Sequence, residues 1–371
     1  MTPLVRPIEA ADCDVLAAFC ADFPEERRDL LFWKQRFRFW WEENPAFSES
    51  FPRGCLMENQ GEIVGIFALF PTHIILKGQK CIAANMTCWR VLPNWRPHML
   101  RMFAKLLALA GDRLIFNTTP TPAVEQILIR FGFTHFGAEI RTESVWFTAP
   151  AGSDPLTAMK RICRIAWNWA PEWLGESGMV AVPRTLGRCF GQMLGLRQGM
   201  AGAGEIGSVE TIDAAFDRLW ERTKTGQTLT NDRSSASLDW YLRRNPVKRP
   251  FTLLTHRRGD RLVAWLLVER RPSRHWPDAE HWLVVDGWAE DPWRESLLPL
   301  LARALQIGRT AGIPVLRIPH YHQALAETCA GIGLSRSIPK SFNSYLRWPD
   351  GALTWDPARM RVSRNQGDYG C

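Results

Sequence analysis

The stretch Thr87-Cys88-Trp89-Arg90-Val91-Leu92-Pro93 is answered 199 residues later by Asp286-Gly287-Trp288-Ala289-Glu290-Asp291-Pro292, with the tryptophan and the proline in register. Upstream, Gly61-Glu62-Ile63-Val64-Gly65 faces Gly259-Asp260-Arg261-Leu262-Val263-Ala264, and Gly65 and Ala264 are again 199 apart. Trp40-Trp41-Glu42-Glu43-Asn44-Pro45 is answered by Tyr241-Leu242-Arg243-Arg244-Asn245-Pro246, and Phe131-Gly132-Phe133 by Ile332-Gly333-Leu334, both at an offset of 201. Landmarks in one order at nearly one offset constrain the chain to two copies of one layout.

Length agrees with this reading, since 371 residues accommodate two domains of roughly 150 residues and a connector. The expected boundaries are a first domain over 1–150, a connector over 151–204, a second domain over 205–350 and a polar tail over 351–371. A hydrophobic content of 46% lets both halves bury a core.

Nine cysteines are an odd number and none forms a C-x-x-C pair, which argues against a disulfide framework and a structural zinc site. The N-terminus lacks a basic segment followed by an apolar one, and no run of 18 apolar residues occurs, so a reduced cytoplasmic protein is expected. The net charge of +8 favours an anionic partner: a nucleotide cofactor, a carrier protein, lipid headgroups or nucleic acid. Eighteen tryptophans, several beside arginine as in Trp89-Arg90 and Trp95-Arg96, read first as amphipathic packing.

Each half opens with a strand and a helix. An aromatic helix over Leu30–Glu43 ends at Asn44-Pro45, where proline stops it. Ile63 to Phe70 reads as a strand, Pro71-Thr72 as a turn, and His73 to Leu76 as a strand pairing back. The signature strand Ile82–Leu92 leads into a helix with Met99, Leu100, Phe103, Leu106 and Leu107 on one stripe. Ile115-Phe116-Asn117 is a short strand before a second helix, and Ser144–Phe147 closes the half. The second half repeats this order and closes with Phe342–Leu346. The class is α/β (α+β), each half a mixed, mostly antiparallel sheet flanked by helices. The connector carries Lys160, Arg161, Arg164, Arg184, Arg188 and Arg197 among apolar residues, which fits packing across both halves or an amphipathic surface on anionic membrane.

This layout resembles the GNAT acyltransferase superfamily, specifically tandem members associated with polysaccharide or envelope biosynthesis. The resemblance rests on Asp12 and its helix, Gly61–Gly65, the signature strand to Pro93, Ile115–Asn117, Phe131–Phe133, Trp33-Lys34 and Asn44-Pro45. It covers about 6–148 and 206–347. It implies acyl transfer from a pantetheine thioester, on coenzyme A or an acyl carrier protein, to an amine or hydroxyl of a sugar, lipid-linked sugar or amino compound, without a metal. In such enzymes the signature strand splays from its neighbour and its backbone N–H groups hold the pantetheine. The loop after it, Arg-x-x-Gly-x-Gly/Ala, wraps the pyrophosphate at a helix start. Here the corresponding loops are Asn94-Trp95-Arg96-Pro97-His98 and Trp293-Arg294-Glu295-Ser296, and neither contains glycine. A carrier-protein donor, which brings no free nucleotide, relaxes the need for that loop.

By position, the donor would meet Thr87, Trp89, Arg90, Arg96, Trp288, Arg294 and Asn117. Asp286 stands where the first copy has Thr87 and is the expected base, with Tyr321 as acid and His320 or His322 as further candidates. The second half is therefore the expected catalytic one. Cys88 reads as an inert core thiol, lacking a histidine partner or helix start. The alternatives are a Fem-type aminoacyl transferase using charged tRNA and a catalytically degenerate binding module; apart from the former, nucleic acid is not an expected partner.

Overall fold

The computed structural model describes residues 2–118, 120–136, 142–147, 204–225, 227–247, 250–272, 280–313, 315–321, 323–330, 332, 334–337, 344–348 and 360–361, with isolated positions between 152 and 163. Most of the basic connector and of the polar tail, together with His322, thus lie outside the described residues.

The first half contributes β1 (Leu4–Pro7), α1 (Cys13–Ala21), α2 (Leu30–Phe37), β2 (Gly54–Asn59), β3 (Glu62–Leu76), β4 (Gln79–Val91), α3 (Met99–Ala110), β5 (Ile115–Asn117), α4 (Pro122–Arg130), β6 (Thr134–Phe136) and β7 (Thr142–Phe147). The second contributes β8 (Glu205–Val209), α5 (Ala214–Thr223), β9 (Leu229–Asn231), α6 (Ser235–Asp239), β10 (Phe251–Arg258), β11 (Arg261–Pro272), β12 (Glu280–Ala289), α7 (Trp293–Thr310), β13 (Val315–Pro319), α8 (Gln323–Cys329), β14 (Leu334–Ser337), β15 (Ser344–Arg347) and β16 (Met360–Arg361). They form two mixed sheets. The first runs β1-β2-β3-β4-β5-β15-β6 with β9 added to β3, and the second runs β14-β7-β13-β12-β11-β10-β8.

The repeated landmarks occupy equivalent places. Thr87 on β4 faces Ala68 on β3, and Asp286 on β12 faces Leu267 on β11, so both partners are 199 apart. α2 continues into a π-helical turn over Arg38–Glu42, and α6 into another over Trp240–Arg244. Each ends on an asparagine whose Oδ1 accepts the amide two residues on, Asn44 from Ala46 at 2.9 Å and Asn245 from Val247 at 3.0 Å. An asparagine that satisfies the backbone after the last turn stops a helix without a glycine.

Two expectations change. Pro71-Thr72 is not a turn, because Glu62–Leu76 is one strand of 15 residues. Proline is tolerated there because β2 has already ended and β9 joins only at Ile74, so no neighbouring strand asks for the missing N–H. The Pro71 carbonyl on that side accepts the Asn44 amide at 2.8 Å. The closing strands, moreover, do not close their own halves. β7 lies in the second sheet between β13 and β14, while β15 lies in the first between β5 and β6.

Packing follows from this. α1 and α2 cover one face of the first sheet through Leu16, Cys20, Trp33, Phe37 and Trp40. α3 covers the other through Met102, Phe103, Leu106 and Ala110, spaced so that one stripe is buried. The second core takes in Trp146 from β7, fully buried, against β12 and α7 side chains. Gly54, at φ +111°, is required where β2 crosses β3, since a Cβ there would lie 2.2 Å from the Phe67 carbonyl oxygen. The halves meet where Phe39 and Trp240, one from each π-helical turn, stack at 4.4 Å, and the Trp240 indole donates to the Phe39 carbonyl at 2.8 Å.

Candidate functional site

β4 and β5 run parallel only through Ala84↔Ile115 and Asn85↔Phe116 and then diverge. Immediately beyond, β4 bulges at Cys88 and Trp89, and Cys88 takes φ +50°. A left-handed non-glycine residue costs about 1–2 kcal/mol, so the surroundings hold the bulge in place. Among the described residues the β5 side of β4 then has no strand partner past Asn85, leaving a V with Thr87 on one arm and Asn117 and Thr118 on the other, all buried.

The second sheet repeats the V but fills it. β12 and β13 pair at Trp282↔Leu316 and Leu283↔Arg317, and the Tyr321 hydroxyl then donates to the Val284 carbonyl on the opposite arm. The bulge also sits differently, at Val285 before Asp286 rather than after the residue equivalent to Thr87. A tyrosine bridges the second V, whereas among the described residues no strand lies between the arms of the first.

Beside the first V lies a small cleft between the halves, with a cavity of about 30 Å³, lined by Asn44, Thr72 and His73 from one and Asn231, Asp232 and Asp286 from the other, among others. Asn85, at the apex of the V, donates to Thr72 Oγ1 at 2.9 Å, so one side-chain hydrogen bond joins the apex to the cleft. Asp232 is buried and accepts from Lys80 at 2.9 Å and from the Ser234 and Ser237 hydroxyls at 2.9 Å. Burial pushes its carboxyl up, but Lys80 and the hydroxyls outweigh this and hold it below the usual carboxylate range. His73 Nδ1 lies 3.9 Å from the same carboxylate. Burial, and then the charge of Lys80, lower the His73 imidazole against the pull of Asp232, so it is neutral at neutral pH.

The residues expected to do the chemistry in the second half have other work. Asp286 is a buried ion-pair partner, taking the Arg233 guanidinium at 3.1 Å on each oxygen and the Gly287 amide at 2.8 Å. Arg233 is equally buried, lies 4.6 Å over the Trp288 ring and donates to Thr230 Oγ1 at 2.6 Å. As the counter-ion of a buried guanidinium, Asp286, the expected base, anchors the segment leading from β9 into α6. The Tyr321 hydroxyl, expected to protonate a leaving thiolate, donates to the Val284 carbonyl. His320 is bonded through both nitrogens, Nδ1 to Thr142 Oγ1 and Nε2 to Ser144 Oγ, each at 2.9 Å, which rivets the exchanged strand β7 to the end of β13. Burial pushes its imidazole down to about 4.

Several expected donor contacts are also structural. Trp288 is fully buried and its indole donates to Thr223 Oγ1 at 2.7 Å. Arg294 caps the C-terminal end of α8 through the Thr328 carbonyl at 3.0 Å, not a pyrophosphate. Arg90 pairs with Glu26 and lies 4.7 Å over Trp33, and Trp89 stacks on Phe67 at 4.5 Å. Thr87 and Asn117 remain on the V, and Arg96 is exposed on the 3₁₀ turn Pro93–His98 that leads into α3. Sequence reading missed Arg233, His73 and Asp232: each becomes legible only when β9 is seen to pair with β3, bringing Asn231 opposite Ile74. Among the described residues, no group of three or more His, Cys, Asp or Glu is placed to hold a metal ion.

No protein-family model matches the chain, and no curated protein matches it. Among solved structures, a probable N-acyltransferase of unknown function from Enterococcus faecalis V583 superposes with a TM-score of 0.57 at 9% identity, over 94% of this chain and 73% of that one. An N-myristoyltransferase from Saccharomyces cerevisiae with bound myristoyl-CoA gives 0.49 at 11% identity, over 98% of this chain and 89% of that one. A GCN5-related N-acetyltransferase from Anabaena variabilis gives 0.48 at 10%, over 94% and 73%. The first likeness shows a shared fold over most of this chain; the other two are looser and carry no argument.

Two outcomes follow for stability. Asp286→Asn strands a buried guanidinium, so chemical denaturation should show a loss of about 3–5 kcal/mol, whereas the paired change Arg233→Met with Asp286→Leu should recover most of it. For His320 the folded value is depressed, so between pH 6.5 and about 4 the unfolded chain binds a proton that the folded chain does not. Stability contributed by this histidine is intact above pH 6.5 and falls on acidification by about 1.4 kcal/mol per pH unit, to about 3 kcal/mol at pH 4. Melting curves of His320→Asn should lie lower at neutral pH and lose stability less steeply across that window.

Proposed function

We propose that the chain is an acyltransferase that takes its donor in the V of the first half and its acceptor in the cleft between the halves. The observation that carries this reading is the early separation of β4 from β5 after Asn85↔Phe116. Backbone N–H groups along the edge of a strand that leaves its neighbour are the kind of donor that the amides and thioester oxygen of a pantetheine arm require. The second V, occupied by Tyr321, has no such room.

The donor is an acyl thioester on coenzyme A or on an acyl carrier protein. The carrier is favoured by the segment after β4, where Pro93–His98 forms a glycine-free 3₁₀ turn with backbone bonds of its own, Trp95 N to Leu92 O at 2.9 Å. A net charge of +8 suits an acidic carrier, and the basic connector over 151–204 suits peripheral contact with anionic membrane on the cytoplasmic side. The acceptor is an amine or hydroxyl of a sugar, lipid-linked sugar or amino compound. His73, neutral and lining the cleft, is the group placed to take its proton, with Asp232 beside it to stabilise the imidazolium that forms. Attack on the thioester carbon then expels the thiolate. The two halves, in this reading, are copies of one domain that have divided the work.

Thiol release from a panel of acyl-CoA and acyl-carrier donors, with amino and hydroxy acceptors, tests the reading. Turnover is expected with a carrier or phosphopantetheine donor, and free coenzyme A should bind more weakly than about 100 μM, about 5.5 kcal/mol by calorimetry. Tight coenzyme A binding overturns the donor preference, and absence of transfer from every donor favours a binding module. His73→Asn should lower kcat by about 10²- to 10⁴-fold with the melting temperature little changed.

A further inference from the structure

Cys20 and Cys88 meet across the structure with their sulfurs 3.8 Å apart, although 68 residues separate them in the chain. Cys20 is in α1 and fully buried; Cys88 is half-buried, on the bulge of β4, in the left-handed conformation. Among the described residues no other two thiols are in contact. One feature separates this pair from inert core cysteines: the sulfurs are already in van der Waals contact, so a bond needs small side-chain rotations. The Cys88 hydrogen bond and burial push the Cys20 thiol well up, and the nearby Arg90 guanidinium offsets this only in part, so Cys20 is the resolving and not the attacking thiol.

We propose that Cys20 and Cys88 are a site of reversible oxidation, forming a disulfide that fastens α1 to the bulged strand. The oxidant is a hydroperoxide. Cys88, the more accessible sulfur, attacks the peroxide oxygen, and the O–O bond breaks to leave Cys88 sulfenic acid and an alcohol, or water from hydrogen peroxide. Cys20 then attacks that sulfur and releases water, so two electrons and two hydrogens leave the protein. A dithiol restores both thiols by exchange. Cys20 is the resolving partner: it traps the sulfenic acid before further oxidation. The bond joins a helix to the strand on which the donor is proposed to lie, yet its formation does not depend on that assignment.

The experiment treats the full-length protein with hydrogen peroxide, quenches with N-ethylmaleimide, and reads intact mass and peptide maps. A Cys20–Cys88 linked peptide two hydrogens lighter, reversed by dithiothreitol, is expected, with a melting temperature several degrees above that of the reduced protein. In Cys20→Ser, the Cys88 sulfenic acid should persist and take up dimedone, which the wild type should not. Dimedone labelling of Cys88 as heavy in wild type as in the variant overturns the proposal. So does absence of the linked peptide at peroxide levels that oxidise the half-buried Cys13. The wild-type measurement decides by itself if the serine variant fails to fold.

Discussion

The buried pair between Arg233 and Asp286 is the interaction on which the relation of the two halves depends. Both groups are within 2% of full burial, and the desolvation of two charges is repaid only because the guanidinium is met on both carboxylate oxygens, by Thr230 and by the face of Trp288. Arg233 belongs to the segment whose preceding residues pair with β3, and Asp286 to the central strand of the other sheet. One ion pair therefore fixes how far the second sheet stands from the first. That spacing is the width of the cleft.

The two copies have diverged by small displacements in equivalent positions. In the first, the bulge falls after Thr87, and β5 leaves without a replacement on the β4 edge. In the second, it falls before Asp286, and a tyrosine spans the arms. A bulge moved by about two residues redirects which backbone groups face the gap. A chain can thus keep one architecture and give its halves unlike surfaces.

The repeat was legible because its signals are local: the asparagines at 44 and 245 stop helices by bonding to backbone two residues away, and Thr87 and Asp286 hold matching places on strands, although the bulge takes Trp89 out of the place that Trp288 keeps. What was not legible is partner choice over distance. Val145 and Trp146 have the pattern of a buried strand in either sheet, and nothing in their neighbourhood says which sheet receives them. Asp286 looked like a base because its position matched a signature strand, but its chemistry is set by an arginine 53 residues away. The neighbour of Cys88 was not legible for the same reason, since Cys20 approaches it only through the packing of α1. Pro71 misled in the opposite direction: as a local signal it says turn, and only the gap between β2 and β9 makes it harmless in a strand.

The placement of β15 has a consequence for how the protein is made. It lies between β5 and β6, so the first sheet joins residues 115–117 and 134–136 through residues 344–347. During synthesis the N-terminal half emerges long before that strand exists. β5 and β6 must wait with open edges until residues 344–347 have left the ribosome, and contacts of such sequence separation form late in any case. Nascent chains of this kind depend on protection of those edges, by a chaperone or by transient pairing within the first half. The exchange of closing strands makes the emergence of the second half the step at which the first sheet becomes complete.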